Sequence, residues 1–373
     1  MKTTDKRVFS GADVVASEGI KTDGKCGLLT NPTGVLKDLT PTIDMLQKEC
    51  DLVSLFAAEH GIRGDIQASG EVTSYTDADS GINVYSLFGN DFTEAHKAIA
   101  SLDTFIYDIQ DVGSRFYTYA YTLTDTMEFC AKNNVKCIIL DRPNMLGGIM
   151  VEGTILNREY SSLVGRFPVP TRYALTIGEF ASMMNDIENI GCDLSVVKMQ
   201  GWERDMYYDE TGLQFIPPSP NIPTLDTAII YNGTCIFEGT NLSEGRGTTK
   251  PFEMIGSPWF EPKTIIEYVG NIEGAILREC SFTPTFSKYK DELCRGLQIH
   301  ITDRNVFSPF ALGLKIFDAL RKTNKEFEYN PFVYNLLGTN EIDDDSFDLE
   351  SFISIQQKKV IEWQETSKKW YLY

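Results

Sequence analysis

The sequence predicts an α/β fold: a Rossmann-like, mostly parallel sheet domain followed by a second, smaller α/β (α+β) domain. Two patterns carry this prediction. Short, near-continuous apolar runs alternate with amphipathic stretches through the first half, as strands buried on both faces of a parallel sheet require. From about residue 217 to 249 the chain becomes rich in Pro, Gly, Ser, Thr and Asn, a composition typical of long functional or linking loops, and the alternation is lost beyond it. A length of 373 residues suits about two domains, which we place at 1–250 and 251–373.

Taken in order, strands are expected at Gly27–Thr30, Leu52–Ala57, Asn83–Leu87, Thr104–Ile109, Lys136–Leu140 and Leu194–Lys198. The intervening helices are expected at Thr42–Cys50, Phe92–Ser101, Tyr119–Asn133 and Thr176–Ile190. The last opens on Thr176-Ile177-Gly178-Glu179, a capping box in which Thr and Glu satisfy orphan helix donors. Its Ile177, Phe180, Ala181, Met184 and Ile187 recur at helical spacing. In the smaller domain Leu297–Thr302 reads as a strand. Ser308-Pro309 starts a helix carrying Phe310, Leu314, Phe317 and Leu320 on one face.

Composition sets limits on function. The 34 Lys+Arg against 53 Asp+Glu leave a net charge of −19, which argues against nucleic acid or anionic membrane as a partner, since phosphate recognition needs basic surface. Apolar spans fall short of the ~18 residues a membrane helix needs, so no membrane insertion is expected. Residues Met1–Lys6 lack the apolar core of a secretion signal. The chain as written is expected to be cytoplasmic, or periplasmic or secreted if a signal peptide has been removed. Its eight cysteines form no CxxC and are scattered through apolar runs, which reads as buried free thiols.

In open α/β sheets ligands bind beyond the carboxyl ends of the strands, and three apolar runs end in carboxylates there. Leu52–Ala57 leads to Glu59-His60, Thr104–Tyr107 to Asp108-Ile109-Gln110-Asp111, and Lys136–Leu140 to Asp141-Arg142-Pro143-Asn144. A further acidic group, Glu244, lies in the loop Glu238–Thr248. Paired carboxylates in a partly desolvated cleft suit glycoside hydrolysis, in which one protonates the leaving oxygen and another group stabilises the cation-like sugar. A carboxylate at a strand end also has a structural reading, as a helix cap or an arginine partner. That reading weighs most for Asp111 and Asp141, which Arg115 and Arg142 follow closely. Glu59, flanked by Ala58 and His60, is the better catalytic candidate.

Arginines recur in the same segments: Arg63, Arg115, Arg142 and Arg246. They either neutralise neighbouring acids or recognise a substrate carboxylate bidentately. Tyr117, Tyr119, Trp202 and Trp259 could stack on a sugar face, although most large aromatics belong to cores. Other motifs fail. The stretch Glu244–Lys250 lacks the Gly-Lys-Ser/Thr order of a phosphate loop, no GxGxxG follows a strand, and neither HExxH nor a histidine cluster suggests zinc. No metal or other cofactor is expected. The rival is a magnesium-dependent phosphohydrolase with Asp108, Asp111 and Asp141 as oxygen ligands.

Taken together, these segments resemble the exo-β-N-acetylmuramidases of the NamZ family. The resemblance rests on Phe56–Gly64 (FAAEHGIRG), Asp108–Tyr119 (DIQDVGSRFYTY), Leu140–Asn144 (LDRPN), Thr176–Glu179 (TIGE), Ser219–Pro223 (SPNIP) and the Glu238–Thr248 loop. They keep the family's order from roughly Gly27 to Trp259. What the resemblance implies is a Rossmann-like domain with a smaller auxiliary domain and an active site in the cleft between them. The implied activity is release of N-acetylmuramic acid (MurNAc) from the non-reducing end of peptidoglycan-derived muropeptides or disaccharides.

On that resemblance Glu59 matches the family's proposed catalytic glutamate, with His60 beside it and Glu244 as candidate second group. The substrate-binding expectation covers Arg63, Asp108, Asp111, Arg115, Tyr117, Asp141, Arg142, Asn144, Asn221, Asn241 and Arg246. Arg63 and Arg246 are favoured for the muramic lactyl carboxylate. The chain departs from the family pattern at Tyr173-Ala174, where relatives usually read His-Gly, and at Ala58 and Met145, where Pro is usual. A His lining the pocket at 173 would tie substrate preference or rate to that change. A non-catalytic muropeptide binder is the third reading.

Overall fold

Alternating apolar and amphipathic stretches become alternating strands and helices. The computed structural model describes residues 8–64, 74–89 and 91–373; the stretch Met1–Lys6 lies outside them. In chain order the elements are α1 (Gly11–Glu18), β1 (Lys25–Thr30), α2 (Thr42–Glu49), β2 (Asp51–Ala57), β3 (Tyr75–Thr76), β4 (Asn83–Ser86), α3 (Thr93–Ala100), β5 (Thr104–Asp108), α4 (Tyr119–Asn133), β6 (Lys136–Leu140), α5 (Ile177–Ile187) and β7 (Leu194–Val197). There follow α6 (Leu225–Thr234), β8 (Met254–Ser257), α7 (Pro262–Val269), β9 (Ala275–Phe282), β10 (Cys294–Ile301), α8 (Pro309–Thr323), α9 (Phe332–Leu337) and α10 (Leu349–Ser367).

The first seven strands form one sheet in the order β3-β4-β2-β1-β5-β6-β7. All its pairings are parallel except that of the two-residue edge strand β3. Leu28, Leu29, Phe105, Ile106, Ile138 and Ile139 are buried in its centre on both faces, which is why these strands read as continuous apolar runs. From β1 the chain steps outward to β2 on one side and later to β5 on the other. The carboxyl ends of β1 and β5 therefore form the switch point at which doubly wound sheets bind ligands. Helix α5 starts as its capping box predicts: Thr176 Oγ1 accepts from the Glu179 amide at 3.2 Å, and Glu179 Oε2 accepts from the Thr176 amide at 3.0 Å.

The smaller sheet is antiparallel, in the order β8-β10-β9, and both α6 and α7 pack on α8. Helix α6 is the main departure from the sequence reading, because it lies inside the Pro/Gly/Ser-rich stretch read as loop. Every residue from Thr227 to Thr234 is buried, so there is no polar face to create the helical period. Its approach to α8 depends on two glycines. A Cβ on Gly233 would lie 1.8 Å from the Pro309 carbonyl oxygen, and one on Gly313 2.2 Å from that of Gly233. All eight cysteines are free thiols. Among the described residues no helix is long and apolar enough to cross a membrane.

Candidate active site

The carboxyl edge of the sheet carries a narrow cavity of about 70 Å³ lined by Glu59, His60, Phe116–Tyr119, Ser219, Asn221, Ile222, Tyr231, Arg246 and Phe252. Each wall has a structural source. Glu59 and His60 follow β2, and the Phe116–Tyr119 segment follows β5 and runs into α4. Tyr231 comes from α6, and Arg246 from the loop between α6 and β8. The aromatic rings meet edge to face: Tyr117 and Tyr119 at 5.0 Å, Phe116 and Tyr231 at 5.8 Å, Tyr231 and Phe252 at 4.7 Å. Such contacts fix ring orientation as well as adding area. The result is an apolar wall facing a few polar groups.

Thr118 Oγ1 donates to Glu59 Oε2 at 3.1 Å, which helps to orient the carboxylate at the cavity wall. His60 has φ 75°, a left-handed conformation that β-carbon-bearing residues rarely adopt and that concentrates at functional sites. Among the described residues lining the cavity, Glu59 is the sole carboxylate. Opposite it, Arg246 Nη2 donates to Glu238 Oε1 at 2.7 Å and its Nε lies 3.3 Å from Glu244 Oε1. The guanidinium sits 5.0 Å over the Phe252 ring. Gly245 and Gly247, at φ 77° and 81°, flank Arg246 where Cβ atoms would lie 2.3 and 2.6 Å from the backbone oxygens of Met254 and Phe286. Only glycine permits that turn.

The other residues singled out from sequence fall in different places. Tyr117 and Asn221 line the cavity, whereas Glu244 lies behind Arg246, 2 % exposed and 3.0 Å from Lys288 Nζ. Arg63 is turned to Asp77, which accepts at 2.8–3.1 Å, and to Asp79 at 3.2 Å. Asp108 is fully buried in a bidentate pair with Arg142. Asp141 accepts from the Arg142 and Gly178 amides, Thr176 Oγ1 and Tyr373 OH. Asn144 bridges the Leu175 carbonyl and Leu146 amide, and Asn241 ties its loop to residues 326 and 328. Arg115 donates to carbonyls of Thr154, Val169 and Leu336, and burial lowers its pKa to about 10. Trp202 packs on Tyr373, and Trp259 bonds Tyr289. Among the described residues no group of three His, Cys, Asp or Glu is arranged to hold a metal ion.

Tyr173 does not line the cavity; its hydroxyl donates to Asp111 Oδ2, which also accepts from the Gly113 amide at 2.7 Å. Ala174 next to it sits at φ 53°, a conformation for which glycine is better suited. Burial pushes the Asp111 carboxyl up from 3.8 to about 6, against the lowering effect of these bonds. A raised native pKa means that the folded chain holds the proton more tightly than the unfolded chain does. The stability this group contributes is thus complete below about pH 3.8 and is lost as pH rises through 6. Asp111→Asn is expected to stabilise the protein at pH 8 by up to about 3 kcal/mol, the worth of about two pKa units, and to have little effect at pH 4. Urea unfolding at both pH values checks this; equal effects at both would contradict it.

Several cavity residues were not singled out from sequence, although Thr118, Ser219 and Ile222 lie inside the family-like segments Asp108–Tyr119 and Ser219–Pro223. Thr118 is one polar residue in an aromatic run, and Ser219, Ile222, Tyr231 and Phe252 reach the site only because α6 and its flanking loops fold back over the sheet edge. For Tyr231 and Phe252 the Pro/Gly-rich composition of that region was the available hint.

The matches to known proteins extend along the whole chain. Residues 26–226 match the family model described as exo-beta-N-acetylmuramidase NamZ, N-terminal, and residues 229–373 match its C-terminal counterpart. The peptidoglycan beta-N-acetylmuramidase NamZ of Bacillus subtilis (strain 168) is 40% identical over 365 residues, covering 94% of this chain and 87% of the relative. A crystal structure of a DUF1343 family protein from Bacteroides fragilis NCTC 9343 superposes with a TM-score of 0.89 at 35% identity, covering 99% of both chains. A second DUF1343 protein from that strain gives 0.79 at 27% identity, covering 98% of this chain and 99% of its own. With both halves matched in sequence and the architecture matched in space, the chain belongs to the NamZ family of exo-β-N-acetylmuramidases.

Proposed function

We propose that this protein is an exo-acting glycoside hydrolase that releases MurNAc from the non-reducing end of peptidoglycan-derived fragments, with Glu59 as general acid and base. The observation that carries the residue assignment is the position of Glu59, the one carboxylate among the described residues lining an aromatic-walled cavity at the sheet's switch point. Protonated Glu59 gives its proton to the glycosidic oxygen as the bond to the anomeric carbon breaks. With Glu244 held behind Arg246, the substrate's own 2-acetamido oxygen is the nearer nucleophile, as in other substrate-assisted glycosidases. Glu59 then takes a proton from the water that opens the resulting ring. Tyr117 and Tyr119 supply a surface for the sugar. The phosphohydrolase reading loses its ligand set, because Asp108 is engaged by Arg142 and Asp141 by a helix start.

Mass-resolved analysis of products from MurNAc-β-1,4-GlcNAc, with and without EDTA, tests this reading. Free MurNAc in equal yield under both conditions supports it; an intact disaccharide, or cleavage stopped by EDTA, overturns it. In the same reading Arg246 receives the lactyl carboxylate. Arg246→Lys keeps the charge among Glu238, Glu244 and Lys288 but loses the planar fork. The expected outcome is a KM raised about tenfold, the worth of one charge-assisted bond, with kcat changed less than about threefold. Steady-state kinetics on the disaccharide measures this, and an unchanged KM would remove Arg246 from the lactyl site.

A further inference from the structure

A second cavity lies apart from the one holding Glu59. A groove of about 590 Å³ runs between one face of α10 and two loops, with Gln356, Lys359, Trp363 and Thr366 on the helix and Asn157 and Thr339 opposite. That volume is within the usual range for small-ligand sites. Gln356 is only 3 % exposed, and what it does expose faces this groove. A primary amide at a groove wall offers a ligand both a donor and an acceptor. Trp363, half-buried against the core, contributes an indole to the same wall. Beneath the groove Arg115 ties Thr154 and Leu336 together, one residue before the segment that lines the Glu59 cavity.

We propose that this groove is a second saccharide site, which holds a β-1,4-linked N-acetylamino-sugar segment of the substrate away from the scissile end. Gln356 pairs with an acetamido group through its donor and acceptor, Trp363 stacks on a pyranose face, and the threonine hydroxyls meet ring hydroxyls. The choice of ligand class rests on the glycosidase reading. The probe is chitotetraose, titrated by calorimetry into full-length Glu59→Gln protein saturated with MurNAc-β-1,4-GlcNAc. Binding is expected to persist with the catalytic cavity filled and to weaken about tenfold in both Trp363→Ala and Gln356→Leu. Each of these changes, placed alone in the otherwise unaltered chain, should leave disaccharide turnover within about twofold. Gln356→Leu preserves volume, so it carries the test should Trp363→Ala unfold, which thermal melting reports. No chitotetraose binding, or equal binding by Gln356→Leu, overturns the site. A chain that binds chitotetraose through Gln356 but leaves the disaccharide intact would instead refute the hydrolase reading alone.

Discussion

Replacing Glu59 by Gln is expected to lower kcat on MurNAc-β-1,4-GlcNAc by about 10³-fold, the range spanned by removal of a positioned general acid and base. The unfolding midpoint should hardly move. Gln is isosteric, and its carbonyl oxygen can still accept the bond that Thr118 Oγ1 now gives to Glu59 Oε2. What disappears is the exchangeable proton that both halves of the reaction need. KM is expected to change little, because the aromatic wall and Arg246 still hold the sugar, and the loss is then confined to the chemical step. Single-turnover kinetics with purified, folded variant provides the measurement. A Glu59→Gln enzyme of full activity would transfer the acid role to another residue.

The parts legible in sequence were those written in local pattern. Each expected strand of the large sheet ends within two residues of its predicted terminus; in the central strands β5 and β6, burial on both faces leaves an apolar run whose end the first acidic residue marks. Glu59 was found by the same signal. Ion-pair partners were not legible, because strand adjacency sets them. Arg142 follows Asp141 directly, yet its guanidinium reaches Asp108, 34 positions away on the neighbouring strand. Arg115, four residues after Asp111, points into the domain junction instead, and Asp111 takes Tyr173 as partner across 62 positions. Arg63 is similar: its acid is Asp77, on the turn between β3 and β4. Helix α6 was hidden for a different reason, since a helix buried all round has no period to read.

The Asp108–Arg142 pair carries the largest expected effect on stability. Asp108 is fully buried and Arg142 nearly so, with Nε–Oδ1 at 2.6 Å and Nη2–Oδ2 at 2.8 Å. Thr42 Oγ1, in the first turn of α2, donates to Oδ2 at 2.5 Å, and Arg142 Nη2 also reaches the Val35 carbonyl at 3.0 Å. The pair thus locks the end of β5, the loop after β6 and the start of α2 into one unit. Asp108→Ala leaves a guanidinium with no compensating charge in the interior and is expected to cost about 3–5 kcal/mol. The combined change Asp108→Leu with Arg142→Met removes both charges and should recover most of that loss, short of the roughly 1 kcal/mol left by the unpaired Thr42 hydroxyl. Chemical denaturation of the parent, Asp108→Leu, Arg142→Met and the double variant closes the cycle and gives the coupling. The folded fraction of each should retain the parental KM for the disaccharide, because neither residue lines the Glu59 cavity. A raised KM without loss of stability would return Asp108 to the substrate, and a double variant no better than the single one would mean that the charges stabilise the fold rather than merely cancel.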